Sequence, residues 1–174
     1  MYFIGIDQSI ANTGWCVLAE DHCVSVGKII PKKLTGPRRL LYIHDALADL
    51  ASGFHLRAGA VESGSYNSSG RIFQLGGVHA LVQVVLWQSG ADVIDVAPAQ
   101  LKKFMTGKSG AKKEWMVEAA RRVTGLESID DNVADAVGLA CISRAVCTGK
   151  VRTRAEAETV HKLQKAGAIH CHER

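Results

Sequence analysis

Long apolar runs and an export leader are both missing from this sequence. None of its 174 residues lie in an apolar run long enough to cross a bilayer, so no membrane association is expected, and the N-terminus lacks the pattern of a signal peptide. The five cysteines are scattered along the chain, which favours reduced thiols over a disulfide framework. We therefore expect an intracellular, cytoplasmic protein.

A strong excess of one charge is also absent. The net charge is only +4 at pH 7, so overall charge barely indicates a nucleic-acid partner. Basic residues instead cluster in residues 28–39 and 102–113, whereas the acids are few and scattered. No internal repeat is present, and the length suits a single domain with a sizeable core.

Apolar patterning predicts alternating strands and helices. Five short apolar runs have strand character, and they span residues 2–7, 14–20, 23–30, 58–61 and 91–96. Helical spacing, length or capping residues mark about residues 38–50, 71–88, 98–105, 111–124 and 131–144. This order predicts an α/β fold with a central mixed five-stranded sheet flanked by helices. We expect residues 1–148 to form the main domain and residues 149–174 to form a helical or flexible tail.

Two acids stand where predicted strands end. Asp7 follows the apolar run that begins at Tyr2, and Glu62 follows the run from Ala58 to Val61. Functional sites in open α/β sheets form at the carboxyl ends of strands. Either acid alone is adequately explained as a strand-end residue that faces water, so the prediction depends on further acids that converge on them.

A second pair of acids lies in the helix that begins near residue 131. Asp131 and Asp135 are four residues apart and so share one helical face, where like charges repel unless a cation lies between them. The helix dipole favours acids at Asp130 and Asp131, but it does not account for Asp135 within the small, apolar run 133–140. Small neighbours would let this helix approach the sheet and bring Asp135 towards Asp7 and Glu62.

These acids would form an oxygen-only site. Hard ligands of this kind select Mg²⁺ or Mn²⁺. Two such ions about 4 Å apart would activate a water and stabilise the leaving oxygen in phosphodiester hydrolysis. The sequence therefore favours a metal-dependent phosphodiesterase.

Basic and aromatic residues suggest a nucleic-acid surface. Lys112 and Lys113 fall in the first turn of a predicted helix, an unfavourable place for cations unless they and the helix N-terminus hold a phosphate. Nearby lysines that could track phosphates are Lys102, Lys103 and Lys108. Tyr66 either packs on its Ser/Gly-rich loop or stacks on an unpaired base, and Arg71 could bind phosphate.

Taken in order, these features resemble the RuvC family of Holliday junction resolvases. The resemblance rests on Gly5-Ile6-Asp7 with Thr13-Gly14, on the strand that ends in Glu62, and on Ala134-Asp135-Ala136. Further similar segments are Gln74-Leu75-Gly76-Gly77-Val78, Gln100-Leu101-Lys102 and Gly110-Ala111-Lys112-Lys113. The match covers about residues 2–145.

This resemblance implies a ribonuclease-H-like fold and a homodimer that makes paired symmetric nicks in a four-way DNA junction. It also implies a divalent metal and a location in the cytoplasm or at the nucleoid. Asp7, Glu62 and Asp135 fall on the family's metal-binding acids. Lys102 and Lys113 fall on its basic residues near the scissile phosphate, where Lys113 would stabilise developing charge.

The chain departs from the family pattern at two places. Three residues before the last aspartate the family usually has an acid or a histidine, whereas this chain has Asn132. We predict Asp131 as the fourth ligand, with Asn132 as the alternative. The family's usual Pro-Gly after the first aspartate is Gln8-Ser9 here, which changes the turn without removing a ligand.

Three other functions are compatible with parts of this pattern. A ribonuclease-H-like nuclease for structured RNA or RNA–DNA hybrids would use the same acids. A catalytically inactive nucleic-acid-binding module of the same fold would be consistent with Asn132. An actin-like phosphotransferase shares the strand-Asp-Thr-Gly opening, but it needs a second glycine-rich phosphate loop and a longer chain.

Overall fold

The structure, a computed structural model, describes residues 1–63 and 72–172. Its strands are β1 (Tyr2–Asp7), β2 (Thr13–Leu18), β3 (Cys23–Ile29), β4 (Leu56–Glu62), β5 (Asp92–Val96) and β6 (Ile169–His170). Its helices are α1 (Gly36–Ser52), α2 (Ile72–Gln88), α3 (Pro98–Thr106), α4 (Lys113–Thr124), α5 (Asp131–Thr148) and α6 (Arg154–Lys165).

The strands form one mixed sheet in the order β3-β2-β1-β4-β5-β6. The β1–β2, β2–β3 and β5–β6 pairs are antiparallel, and the β1–β4 and β4–β5 pairs are parallel. The predicted α/β class and mixed sheet are therefore confirmed. The parallel pairs place the carboxyl ends of β1, β4 and β5 at one edge of the sheet.

A sixth strand was not predicted from the sequence. Ile169 pairs with Ile94 and His170 with Val93, so the C-terminal segment adds a two-residue edge strand. A strand this short has no detectable alternation of apolar and polar residues. Helix α6 also packs on the main body, since Leu163 is fully buried in the same core as α5. The division at residue 148 stays a prediction.

Helix α5 crosses one face of the sheet at very short range. A Cβ atom on Gly5 of β1 would lie 2.1 Å from the carbonyl oxygen of Ala136, and one on Gly14 of β2 would lie 2.3 Å from the carbonyl oxygen of Asn132. Glycine at both positions therefore lets the helix backbone touch the strands. This close approach, together with the buried run Ala136–Cys141, sets the first turn of α5 beside the end of β1.

Helices α1 and α2 cover the opposite face of the sheet. Their buried residues include Ile43 and Leu47 on α1 and Val82 and Leu86 on α2. Phe73 is 93% exposed, so α2 also presents apolar surface to solvent. Helix α2 is therefore buried on one side and leaves apolar side chains uncovered on the other.

Among the described residues, no helix is long and apolar enough to cross a membrane.

Candidate active site

Four acids meet at the carboxyl edge of the sheet. Asp7 and Glu62 are the last residues of the neighbouring parallel strands β1 and β4, whose last aligned pair is Ile6 with Val61. Asp131 is the first residue of α5, and Asp135 follows one turn later. All four side chains are partly buried, and they interact electrostatically as a group.

Burial and mutual repulsion raise the pKa of three of these acids. Burial, followed by the charges of Asp135, Glu62 and Asp131, raises the pKa of Asp7 to about 8. Burial and Asp135 raise the pKa of Glu62 to about 7. Burial and Asp131 raise the pKa of Asp135 to about 6. Such shifts mark a site whose negative charge lacks a sufficient counter-charge.

The donor set fits a hard divalent cation. All four side chains offer carboxylate oxygens, and a bound cation would offset the burial and repulsion that raise the pKa values of Asp7, Glu62 and Asp135. Within residues 1–63 and 72–172, no three His, Cys, Asp or Glu side chains already have the arrangement of a metal-binding cluster. Carboxylates that repel one another are expected to stand farther apart before a cation neutralises them.

Lys113 supplies part of the missing positive charge. Its ammonium group forms an ion pair with the carboxylate of Asp131, although the lysine side chain is 75% exposed. The hydrogen bond between them lowers the pKa of Asp131 and raises that of Lys113. Lys102 on α3 lowers the pKa values of both Glu62 and Asp135, which places its charge near the same acids.

Each of the other predicted lysines has a different setting in the structure. Lys103 forms an ion pair with Glu158 of α6, with 2.6 Å between Nζ and a carboxylate oxygen. The Nζ atom of Lys108 lies 5.0 Å from the centre of the Trp115 ring. Lys112 is exposed and is the N-cap residue of α4. Tyr66 and Arg71 lie outside the described residues.

Asn132 and Asp130 have structural contacts at the start of α5. The side-chain Nδ2 of Asn132 donates to the carbonyl oxygen of Asn12 at 2.9 Å, in the turn between β1 and β2. Asp130 caps the helix by accepting from the backbone N–H of Val133 at 3.0 Å. The Nδ2 atom of Asn132 is thus bonded to the turn between β1 and β2, whereas Asp131 faces Lys113, and the choice between the two as fourth ligand stays a prediction.

Gln8 was not singled out as a site residue by sequence reasoning. Its side-chain amide donates to the backbone carbonyl of Glu62 and also contacts His79 of α2. The departure from the family's Pro-Gly was the only signal at this position. The contact of Gln8 with His79 joins residues that are 71 apart in sequence, so it could not be recognised from the sequence alone.

This fold and this acidic edge define the class of ribonuclease-H-like α/β proteins. The family model described as crossover junction endodeoxyribonuclease RuvC matches residues 3–143, and the chain belongs to that family. The resemblance inferred from the sequence is therefore confirmed.

Individual relatives support the same assignment. A crossover junction endodeoxyribonuclease RuvC from Treponema denticola is 30% identical over 146 residues, which cover 79% of this chain and 82% of that protein. The corresponding protein of Roseiflexus sp. is 31% identical over 145 residues, covering 79% and 86%. Thermus thermophilus RuvC in complex with Holliday junction substrate shares the fold, with a TM-score of 0.71, 22% identity and 98% coverage of both chains.

Proposed function

We propose that this protein is a homodimeric, metal-dependent endonuclease that resolves four-way DNA junctions by paired symmetric nicks. The observation that carries the proposal is the convergence of four acids, three with raised pKa values, at the carboxyl ends of β1 and β4. Membership of the RuvC family supports the same activity. The Thermus thermophilus relative has been solved with a Holliday junction substrate.

Asp7, Glu62, Asp131 and Asp135 are the residues that would hold the metal. Their oxygen-only chemistry favours Mg²⁺ or Mn²⁺, and four carboxylates suit two ions. When bound, such ions supply Lewis acidity that activates a water and neutralises charge on the phosphate. The negative charge of Asp131 is shared between this role and its ion pair with Lys113.

Lys113 and Lys102 would act on the phosphate. Lys113 is tethered at the site by Asp131, yet its exposure leaves the ammonium group accessible to a DNA strand. A cation in this position stabilises the charge that develops on the phosphate oxygens. Lys102 approaches from α3, on the side of Glu62 and Asp135, and would hold the same strand in place.

Other basic, aromatic and apolar residues would bind the DNA and form the dimer. Lys108 and Lys112 lie in the exposed segment between α3 and α4 and would follow a DNA backbone, and Lys103 would do so on release from its ion pair with Glu158. Tyr66 remains a candidate for stacking on an unpaired base at the junction centre, and Arg71 remains a candidate for phosphate binding. The exposed apolar side of α2, including Phe73, is a suitable dimer surface, and two sites in one dimer explain paired nicks. A DNA substrate is consistent with a location in the cytoplasm or at the nucleoid.

A junction-cleavage assay tests the proposal. Wild-type protein, Asp7→Asn and a surface control, Asp49→Asn, are incubated with a mobile four-way DNA junction and Mg²⁺ or Mn²⁺. We expect paired symmetric nicks from the wild type and the control, and junction binding without cleavage from Asp7→Asn. Binding without cleavage by the wild type would instead indicate an inactive module. A wild-type protein that neither binds nor cuts DNA junctions but cuts structured RNA would also refute the proposal.

A further inference from the structure

A chain of polar contacts joins the catalytic ends of β1 and β4 to helix α2. The side-chain Nε2 of Gln8 donates to the main-chain carbonyl of Glu62 and lies 3.3 Å from Nδ1 of His79. The Nε2 atom of His79 lies 3.2 Å from a carboxylate oxygen of Asp95 on β5. We refer to Gln8, His79 and Asp95 as the Gln8 clamp.

Asp95 anchors the clamp. Its carboxylate also accepts hydrogen bonds from Nε2 of Gln83 at 2.9 and 3.0 Å, and it lies 3.3 Å from Nε2 of His170 on β6. Burial alone would raise the pKa of Asp95, but the hydrogen bonds from His79 and His170 outweigh it and lower the pKa. An ionised Asp95 favours the His79 tautomer with its proton on Nε2, which leaves Nδ1 free to accept from Gln8.

The clamp continues the strand pairing past the two acids. The aligned positions of β1 and β4 end at Ile6 and Val61, one residue before Asp7 and Glu62. Gln8 bridges the strand ends beyond that point with a side-chain hydrogen bond. Because side chains alternate along a strand, Gln8 faces α2 while Asp7 faces α5. The clamp therefore holds the backbone of the site from the face opposite the carboxylates.

Gln8 makes two contacts through Nε2, but its other side-chain polar atom makes none within the described part of the chain. Its side-chain Oε1 is buried and has no hydrogen-bond partner among the described residues. A buried acceptor without a donor destabilises the folded protein. A proline, the residue usual in the family at this position, would bring no such acceptor but would also lack the donor that reaches Glu62.

We propose that Gln8, held by His79 and Asp95, is a positioning residue that keeps Glu62 beside Asp7 for divalent-cation binding. The repulsion between the two carboxylates tends to separate the strand ends, and the hydrogen bond to the Glu62 carbonyl opposes that separation. Partners that orient metal ligands typically change metal affinity by about 10–100-fold when removed. The inference rests on the proposed function, because it assigns a role at the same site.

Manganese binding to the DNA-free protein tests the clamp directly. The free Mn²⁺ signal is followed by electron paramagnetic resonance for wild type, Gln8→Ala, His79→Leu and the double variant. His79→Gln serves as a conservative rescue, because its amide can accept at one end and donate at the other. Gln88→Ala removes an exposed amide from the same helix and serves as the control. Thermal unfolding in EDTA is measured for every variant.

Gln8→Ala and His79→Leu are each expected to weaken Mn²⁺ binding about 10-fold. The double variant should bind Mn²⁺ no more weakly than either single variant, because both substitutions break the same chain of contacts. His79→Gln should recover most of the affinity, and Gln88→Ala should match the wild type. Unchanged Mn²⁺ affinity with a lower unfolding temperature would overturn the proposal, as would additive losses or no Mn²⁺ binding by the wild type. In a further outcome, the wild-type protein cuts no DNA junction while the variants still bind Mn²⁺ more weakly than it does. That result would uphold the clamp and refute only the proposed function.

Discussion

Replacing Asp7 with asparagine should stabilise the metal-free protein. The folded structure raises the pKa of Asp7 from 3.8 to about 8, mainly through burial and then through the charges of Asp135, Glu62 and Asp131. Between these two pH values the folded state binds more protons than the unfolded state. The contribution of Asp7 to folding therefore becomes less favourable as pH rises from about 4 to about 8. The neutral amide of the Asp7→Asn variant would carry no such penalty.

The size of the effect follows from the pKa change. At about 1.4 kcal/mol per pH unit, the change from 3.8 to about 8 sets a ceiling of about 6 kcal/mol. Neighbouring carboxylates can move apart and water can reach the site, both of which reduce the penalty. We expect Asp7→Asn to be more stable than wild type by about 2 kcal/mol at about pH 8, and by less than about 1 kcal/mol at about pH 5.

Urea unfolding in EDTA at both pH values measures this difference. The exposed acid variant Asp49→Asn controls for the loss of one surface charge and should show no comparable pH dependence. Added Mg²⁺ should reverse the order of stability, because a ligand at about 100 times its dissociation constant adds about 2.7 kcal/mol to a protein that binds it. Equal stabilities of wild type and Asp7→Asn at both pH values would refute the claim that burial and neighbouring carboxylates raise the pKa of Asp7.

Three further substitutions test other parts of the structure. Gly5→Ala should destabilise the protein by more than about 3 kcal/mol in urea unfolding, because the new Cβ would meet the backbone of Ala136; a normal unfolding midpoint would contradict the close approach of α5. Lys113→Met should slow single-turnover junction cleavage by about 100-fold while leaving junction binding nearly intact, and Lys112→Met should slow it far less. Equal effects of Lys113→Met and Lys112→Met on the cleavage rate would show that Lys113 has no specific role in the reaction. Asp130→Ala should lower stability by about 1 kcal/mol through loss of the helix cap, and an unchanged unfolding midpoint would show that the cap is dispensable.

The elements that carry Asp7, Glu62, Asp131 and Asp135 could be predicted because local sequence determines them. Short apolar runs define β1 and β4, and the parallel pairing of these strands places their final acids at one edge. The spacing of Asp131 and Asp135 sets them on one face of α5 whatever surrounds the helix. These are properties of single elements and of one strand pairing.

Contacts that span the chain could not be predicted in the same way. The amide of Asn132 meets the carbonyl of Asn12 across 120 residues of sequence, so its identity as a turn-holding residue depends on how α5 lies against β2. His170 reaches Asp95 only because a two-residue strand pairs at the edge of the sheet. Neither contact leaves a periodic pattern in the sequence.

The same distinction explains how the chain tolerates its two departures from the family pattern. Asn132 cannot supply a charged ligand, but its hydrogen bond to the β1–β2 turn fixes the first turn of α5, where Asp131 lies beside Lys113. Gln8 lacks the rigidity of a proline, but its amide ties β1 to β4 through the Glu62 carbonyl. In each case the replacing residue forms a long-range hydrogen bond to a backbone carbonyl, from Asn132 to the turn between β1 and β2 and from Gln8 to Glu62 on β4. Because both bonds act on the backbone rather than on the carboxylates, the two departures leave the four acids at the ends of β1 and β4 and in the first two turns of α5.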